Sequence, residues 1–444
     1  MSARLAAYRL IDRVEGSAYS NIALDGVFKD SSLSERDKAF AARLFYGVVE
    51  RRITLEHLLS KYLSKPIDKL DKQVRITLMM GAYQLLYMDN VPDSAAVSES
   101  AELVKKLKKA SAAGMVNAVL RNIIRDGKSI PEVKGDKYRK MSVKYSCPEE
   151  LVRRICEGYG EENAVSLLEN ALLPSICTLR ANTMRTSGGA LAESLSQRGV
   201  RAYVSPLDEN TVICDNLRDV ENDGDFRVGN YHAQDYSSQL CCKAVDPKAG
   251  ETVIDLCAAP GGKTFTMAEL MNDEGRIIAC ELHEKRTGLI RQGAERLGLR
   301  CIETMTNDAR VHNDSLPKAD RVLCDVPCSG YGVIRGKPEI RYKPLSDADG
   351  LPRVQLEILS AAAEYVKEGG LLVYSTCTVN INENERVVEA FLEKHGEFHG
   401  EEFPEEMGSF FKGKFMTAVF AKDFGGDGFF ICRLRLRKEG SRGD

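Results

Sequence analysis

A short apolar run in the second half of the chain leads into a segment of small residues, two glycines and a lysine. The run, Val253 to Leu256, is predicted to be a strand, and an amphipathic helix is predicted to follow the glycines. Small residues let a ligand approach the backbone closely, and the start of a helix offers unpaired N–H groups. The sequence therefore predicts a ligand-binding turn made of Cys257, Ala258, Ala259, Pro260, Gly261, Gly262 and Lys263.

Several ligands are compatible with this turn. The G-x-G-x-x-G spacing of dinucleotide-binding proteins is absent. A phosphate-binding P-loop would require glycine where Cys257 stands, although Gly262, Lys263 and Thr264 fit its end. A third ligand is S-adenosylmethionine, which lacks a polyphosphate. A tight turn without any ligand is the structural alternative.

Acidic residues close the strands that follow. Glu281 ends the second predicted strand, Asp308 follows the third and Asp325 ends the fourth. The carboxylate at the end of the second strand, Glu281, could accept hydrogen bonds from a ribose diol. The carboxylate at the end of the fourth strand, Asp325, could instead hold magnesium if the protein were a nucleotidase. Because the carboxyl ends of parallel strands meet at one edge of a sheet, we expect these acids to line one crevice.

Two cysteines stand at the same predicted edge. Cys328 follows Asp325 and Pro327, and Cys377 follows the fifth strand. A thiolate that adds to carbon 6 of cytosine makes carbon 5 nucleophilic enough to attack a sulfonium methyl group, and is expelled afterwards. The residues predict such covalent chemistry without saying which cysteine attacks.

The elements around these residues alternate between strand and helix. From residue 246 to 444 the pattern predicts an α/β doubly wound parallel sheet, with the last run, GFFICRLRLR, as an added edge or hairpin strand. Residues 143–245 read as a small α+β module with the order β-α-β-β. Residues 1–142 show apolar residues at helical spacing throughout, which predicts an all-α domain.

Charge is divided unevenly along the chain. Residues 1–144 hold 26 basic and 17 acidic side chains, although the whole chain has a net charge of −3. The run Lys105, Lys106, Lys108 and Lys109 is predicted to be helical, as either a solvated face or a phosphate-contacting patch. An excess of basic side chains in the N-terminal third of the chain suggests a domain that binds a polyanion.

Composition excludes several classes of protein. No stretch approaches the roughly 20 apolar residues of a membrane span, and the N-terminus lacks the features of a signal peptide. The 13 cysteines form no C-x-x-C pair and no cluster with zinc spacing, so we expect reduced thiols, no metal and a cytoplasmic protein. We also expect a monomer and no membrane partner.

Several motifs together resemble one known family. DLCAAPGGKT, DVPCSG and STCT are similar to the RNA cytosine-carbon-5 methyltransferases of the Nol1/Nop2/Sun family. VPDSAAVSESAELVKK and GMVNAVLRNIIR look like the helical NusB-like domain of a bacterial member that acts on 16S ribosomal RNA. The resemblance spans nearly the whole chain, and it implies a Rossmann-like catalytic domain behind a NusB-like domain and a small α+β module.

The resemblance implies a role for each candidate residue. Cys377 would be the nucleophile that forms the cytosine adduct, and Cys328 would assist its resolution. The turn from Cys257 to Lys263 would cradle the methionine part of S-adenosylmethionine, Glu281 the ribose hydroxyls and Asp308 the adenine side. Asp325 would sit between the cofactor and the target base. The family usually has aspartate where Glu281 stands, so we expect altered affinity rather than lost binding.

The implied partner is 16S ribosomal RNA, naked or in an early assembly intermediate. The same chemistry on transfer RNA or 23S ribosomal RNA remains an alternative. A second alternative, from another class, is an RNA-docking protein whose methyltransferase domain is not catalytic.

Overall fold

The structure is a computed structural model, and it describes residues 1–15, 20–28, 33–174, 176–215, 217 and 220–438. The chain divides into two compact units. The first consists of Met1–Glu157 with Ile334–Lys343, and the second of Gly158–Val333 with Pro344–Asp444. The three-domain division, with boundaries after residues 142 and 245, stays a prediction.

The first unit is helical, as its periodicity predicts. Its helices are α1 (Ala3–Glu15), α2 (Ser20–Phe28), α3 (Glu35–Glu50), α4 (Arg52–Ser60), α5 (Lys72–Tyr87), α6 (Asp93–Lys106), α7 (Ala113–Arg125) and α8 (Lys137–Tyr145), and α9 (Glu149–Tyr159) runs across its boundary. Helix α5 is buried from Ile76 to Leu85 and packs against α3, α4, α6 and α7. A helix that is apolar on all sides belongs at the centre of its unit.

The lysine run at the end of α6 is only partly helical. The helix ends at Lys106, and Lys108 has a left-handed backbone with φ of 61°. The N–H of Lys109 bonds to the carbonyl of Val104, which is the hydrogen bond of a Schellman cap. The helical prediction is therefore wrong for Lys108 and Lys109, and the Lys109 ammonium pairs with Asp71 at 2.8 Å.

A segment from the second half of the chain belongs to the helical unit. Within it, Arg341 is fully buried and donates to the carbonyl of Ile334 at 2.9 Å. The Tyr342 hydroxyl lies within hydrogen-bond distance of two carbonyl oxygens, those of Val49 at 2.8 Å and Ser146 at 3.1 Å. Residues 334–343, which follow Cys328 closely in the sequence, are thereby anchored among the helices.

The second unit begins with helix α10 (Glu161–Asn170) and a small antiparallel sheet in the order β2-β3-β1-β4. Its elements are β1 (Cys177–Ala181), α11 (Gly188–Gln197), β2 (Ala202–Ser205), β3 (Asp208–Cys214), the short α12 (Gly224–Arg227) and β4 (Tyr231–Ala233). The predicted β-α-β-β order is confirmed, with β4 added to it.

The large sheet has the order β10-β12-β9-β8-β5-β6-β7, and β11 also pairs with β12. Its strands and helices are α13 (Tyr236–Val245), β5 (Thr252–Asp255), α14 (Gly262–Leu270), β6 (Arg276–Glu281), α15 (Glu284–Leu297), β7 (Ile302–Thr306), β8 (Ala319–Asp325), α16 (Leu351–Ala363), β9 (Val366–Thr376), α17 (Glu385–Lys394), β10 (Phe398–Gly400), β11 (Met416–Val419), α18 (Ala421–Phe424) and β12 (Phe429–Leu436). Strands β5 to β9 are parallel, as predicted, and apolar side chains of β5, β6, β8 and β9 fill the core on both faces.

Strand β12 is not at an edge of the sheet. It runs antiparallel to β9 on one side and to β10 and β11 on the other. Its first six residues, Phe429 to Leu434, are all buried, which explains its unbroken apolar start. The prediction that this run forms an edge strand is therefore wrong. Its antiparallel pairing with β11 agrees with the other prediction, a hairpin strand.

The chain order reverses between β5 and β8, the two strands at the centre of the sheet. In open α/β sheets, ligands bind beyond the carboxyl ends of the strands at such a switch point. The predicted ligand turn follows β5, and Asp325 ends β8. In the part of the chain that the structure describes, no helix is long and apolar enough to cross a membrane.

Candidate active site

The turn after β5 is shaped by its glycines. Gly261 has φ of 113°, and its N–H bonds to the carbonyl of Ala258 at 2.8 Å. A Cβ atom on Gly261 would lie 2.4 Å from the ring of Phe265, so only glycine fits. Helix α14 begins at the next residue, Gly262, with its N-terminus at the carboxyl edge of the sheet.

A cavity of about 230 Å³ opens over this turn. Its lining residues are Ala233, Gln234, Asp235, Ser238, Asp255, Cys257, Ala258, Ala259, Pro260, Gly262, Lys263 and Asp325. Six of the seven predicted turn residues therefore line the cavity together with Asp325. Gly261 is the seventh, and it shapes the turn without lining the cavity.

The one basic side chain among these lining residues is already paired. The Lys263 ammonium donates to Asp325 at 2.7 Å and to the Ser238 hydroxyl at 3.2 Å. Burial disfavours its charge, but Asp325 more than offsets this, so the pKa of Lys263 is raised. The remaining charged lining residues are acids, so the cavity suits a cationic ligand and disfavours the polyphosphate of the P-loop alternative.

Asp255 supplies a buried acceptor to the cavity. It is 1% exposed, and one carboxyl oxygen accepts from the Thr264 hydroxyl at 2.7 Å. The other oxygen is buried and has no hydrogen-bond partner within the described residues. Burial raises the pKa of Asp255 to about 7. A buried polar atom of this kind is what a bound ligand or water would satisfy.

The two predicted cysteines meet beyond β8 and β9. Their sulfur atoms lie 3.1 Å apart, and both side chains are partly buried. The hydrogen bond with Cys377, followed by burial, raises the pKa of the Cys328 thiol, so Cys328 holds its proton beside Cys377. Asp325 lies at the end of β8 opposite Ser375 of β9, whose hydroxyl donates to it at 2.8 Å.

Glu281 and Asp308 lie at the predicted edge but do not line the cavity. Glu281 is 4% exposed and forms a 3.2 Å ion pair with Arg286, which also donates to the carbonyl of Ala259 at 2.9 Å. This arginine ties Glu281 to the turn. Asp308 accepts from two of the three guanidinium nitrogens of Arg310, at 2.6 and 3.0 Å. The cofactor contacts assigned to both acids stay predictions.

Four polar residues that line the cavity were missing from the predicted site. Gln234, Asp235 and Ser238 line the cavity, as does Asp255 at the end of β5. Gln234 accepts from the Thr266 hydroxyl at 2.6 Å. The sequence distance of Gln234 and Asp235 from the glycines gave no reason to place them at the turn.

A buried polar cluster connects α14 to the small sheet. Arg180 of β1 donates to Glu269 of α14 at 3.2 Å, and their side chains are 4% and 0% exposed. Burial raises the pKa of Glu269 to about 8 and lowers that of nearby His232 to about 3. Thr266 on the same helix lies 3.3 Å from His232 and also holds Gln234. The small sheet thereby positions one wall of the cavity.

The fold and the site define a methyltransferase with a Rossmann-like sheet. Residues 242–435 match the family described as 16S rRNA methyltransferase RsmB/F, and residues 1–125 match the NusB family. The chain belongs to the RsmB/F family of 16S rRNA methyltransferases, since its full-length relatives agree with this match.

Two curated relatives carry the same printed name, "Probable ribosomal RNA small subunit methyltransferase B". The Bacillus subtilis protein is 36% identical over 442 residues, covering 98% of both chains. The Synechocystis protein is 33% identical and covers 98% of this chain and 99% of its own. The crystal structure of PH0851 is similar in fold, with a TM-score of 0.80, 24% identity, and coverage of 97% of this chain and 98% of that chain.

Proposed function

We propose that this protein transfers a methyl group from S-adenosylmethionine to carbon 5 of one cytosine in 16S ribosomal RNA, in the cytoplasm. The observation that carries the proposal is the pair of thiols, Cys328 and Cys377, whose sulfur atoms lie 3.1 Å apart next to the strand that ends at Asp325. A methyltransferase that acts on nitrogen or oxygen needs no thiol, whereas carbon 5 of cytosine requires a nucleophile at carbon 6.

The residues around the cavity fit S-adenosylmethionine. Asp235, Asp255 and Asp325 line the cavity and would face the sulfonium and ammonium groups of the ligand. One oxygen of Asp255 has no hydrogen-bond partner among the described residues. The turn from Cys257 to Lys263 would hold the methionine part, and Glu281 and Asp308 the ribose and adenine. When bound, the cofactor supplies an electrophilic methyl group.

Cys377 is the proposed nucleophile. Its sulfur forms a bond to carbon 6 of the flipped cytosine, and the electron pair of the carbon 5–carbon 6 double bond becomes available at carbon 5. After methylation, a base or water takes the carbon-5 proton, the carbon–hydrogen electron pair restores the double bond, and the sulfur of Cys377 leaves as a thiolate. The family resemblance alone orders the two thiols.

Asp325 and Cys328 assist this sequence. Lys263 and Ser375 orient the Asp325 carboxylate, which can accept from the exocyclic amine of the cytosine and so hold the base in position. Cys328 contacts the attacking sulfur directly, so it is positioned to assist the release of the adduct.

The helical unit is proposed to bind the RNA. Its sequence carries an excess of basic side chains, with 26 Lys and Arg against 17 Asp and Glu over residues 1–144. Neutralising phosphates with such side chains supplies affinity that does not depend on the base sequence. Selection of the cytosine would then fall to the second unit.

Adduct trapping tests the roles of the two thiols. Cys328→Ala, incubated with S-adenosylmethionine and 16S ribosomal RNA, is expected to accumulate a protein–RNA complex that survives denaturing electrophoresis. The double variant Cys328→Ala/Cys377→Ala is the matched control and is expected to form none. Normal turnover by Cys328→Ala, or an adduct that persists without Cys377, would contradict the assignment.

A further inference from the structure

We propose that Glu383 is a positioning residue that holds the Cys328 loop and the Cys377 loop in register beneath the reacting thiols. The inference rests on the proposed function, and it adds a residue that lies outside the cofactor cavity and contacts neither sulfur through a hydrogen bond. Glu383 lies just before α17, in the loop that follows Cys377, and its side chain is completely buried.

Four hydrogen bonds converge on the Glu383 carboxyl group. One oxygen accepts from the Ser329 hydroxyl at 2.6 Å and from the Asn380 amide at 2.8 Å. The other accepts from the Ser329 backbone N–H at 2.9 Å and from the Gln355 amide at 3.0 Å. All four partners are donors, so both carboxyl oxygens act as acceptors here.

These bonds enclose Cys328 on both sides. Ser329 follows Cys328 and gives Glu383 both its backbone N–H and its hydroxyl. Gln355 of α16 uses the same amide group to donate to the carbonyl of Pro327, which precedes Cys328. The backbone on either side of the thiol is therefore fixed by one buried carboxyl group and its partner on α16.

The same carboxyl group reaches the loop of Cys377. The hydroxyls of Ser329 and Thr378 lie 2.7 Å apart, and Thr378 follows Cys377. Because the single hydrogen of Ser329 goes to Glu383, Thr378 must donate to Ser329. A chain of hydrogen bonds thus runs from the residue after one cysteine, through the residue after the other, to Glu383.

Replacing Glu383 with glutamine tests whether its hydrogen bonds, rather than its volume, position the two loops. Glu383→Gln keeps the side-chain volume but turns one oxygen into an N–H₂ group that faces two donors. The expected result is a movement of the Cys328 loop away from Cys377, with the cofactor cavity left intact. Glu389→Gln is the matched control, because Glu389 is an exposed glutamate on α17.

Two measurements read the position of the thiols. With RNA and S-adenosylmethionine, Glu383→Gln should lower kcat at least tenfold, leave the Kd for S-adenosylmethionine within twofold, and accumulate the denaturation-resistant adduct as Cys328→Ala does. Ser329→Ala, which removes only the bridging hydroxyl, should give a smaller effect of the same kind and serves if Glu383→Gln does not fold.

The second measurement needs neither RNA nor cofactor. Diamide removes two electrons and two protons from a pair of thiols and is itself reduced to the hydrazine, so the rate at which it joins Cys328 to Cys377 reports their spacing. Peptide mapping by mass spectrometry identifies the joined pair among the other thiols. We expect a rate at least fivefold lower for Glu383→Gln and an unchanged rate for Glu389→Gln.

The outcomes are distinct. Wild-type turnover and wild-type joining rates in Glu383→Gln would overturn the inference, as would equal losses of cofactor binding and turnover, since these indicate general damage. If the wild-type protein methylates no cytosine, the proposed function fails, but the diamide rates still decide whether Glu383 positions the two loops.

Discussion

The two adjacent glycines of the turn should respond differently to alanine, because their surroundings differ. Gly261 has φ of 113°, and its added Cβ would lie 2.4 Å from the Phe265 ring. The ring cannot retreat, because it fills the space up to Gly293 of α15, where a Cβ would lie 2.3 Å from the same ring. At Gly262 the nearest atom would be 3.8 Å away, on Gln234.

The magnitudes follow from these contacts. A side chain at such a φ costs about 1–3 kcal/mol, and forcing a methyl group into a filled space costs about 1–3 kcal/mol more. Gly261→Ala should therefore lower the free energy of unfolding of the second unit by roughly 2–6 kcal/mol. Gly262→Ala, at the first residue of α14, should change it by less than about 1 kcal/mol.

Urea unfolding followed by circular dichroism measures the difference, since the chain has no tryptophan to report by fluorescence. Gly262 lines the cavity, so Gly262→Ala should weaken S-adenosylmethionine binding while the protein stays folded. If Gly261→Ala unfolded at the wild-type urea concentration, the account of why this turn requires glycine would be refuted.

Three further predictions concern buried charges. Lys263→Met should leave the Asp325 carboxylate without its cation and lower the free energy of unfolding by about 2 kcal/mol in urea titrations. The loss is smaller than for a fully buried ion pair because Asp325 faces the cavity. The double variant Asp325→Asn/Lys263→Met should recover part of this loss. Asp255 has a raised pKa of about 7, and a cationic ligand favours its ionised form. The affinity for S-adenosylmethionine should therefore rise with pH below 7, by up to about tenfold per pH unit. Calorimetry should find that this dependence on pH is flattened in Asp255→Asn. Arg180→Met should lower the free energy of unfolding by about 1–3 kcal/mol because it removes the donor to the buried Glu269 carboxyl group. If thermal unfolding of Arg180→Met matched the wild type, the cluster would not stabilise α14.

Much of the fold follows from local patterns in the sequence. Apolar periodicity identifies the helices of the first unit and the strands of the second, and parallel strands bring their carboxyl ends to one edge. This is why Asp325 and the two cysteines, far apart in the sequence, could be expected to meet. Their types and their positions at strand ends carry the information.

Other features depend on neighbours that no local pattern specifies. The apolar run of β12 is the same for an edge strand as for an inner one, and only the added strands β10 and β11 make it inner. Lys108 continues a lysine-rich helix in composition, yet a Schellman cap ends the helix before it. A cap without glycine leaves a weak signal in the sequence.

The candidate site shows the same division. The glycine turn has a recognisable spacing, whereas Gln234 and Asp235 reach the cavity only because the small sheet packs on α14. Glu383 sits in a polar loop, NINENE, that reads as exposed. Its burial follows from donors supplied by Ser329 and Gln355, residues that lie more than 25 positions away.

The most direct test of the central claim is the transfer of a labelled methyl group from S-adenosylmethionine to protein-free 16S ribosomal RNA, with the product base located by bisulfite sequencing. The account predicts a single 5-methylcytosine that disappears with Cys377→Ala. Label only on transfer or 23S ribosomal RNA would keep the chemistry and change the substrate. Tight binding of the RNA and the cofactor without any methyl transfer would contradict the account and favour a docking protein.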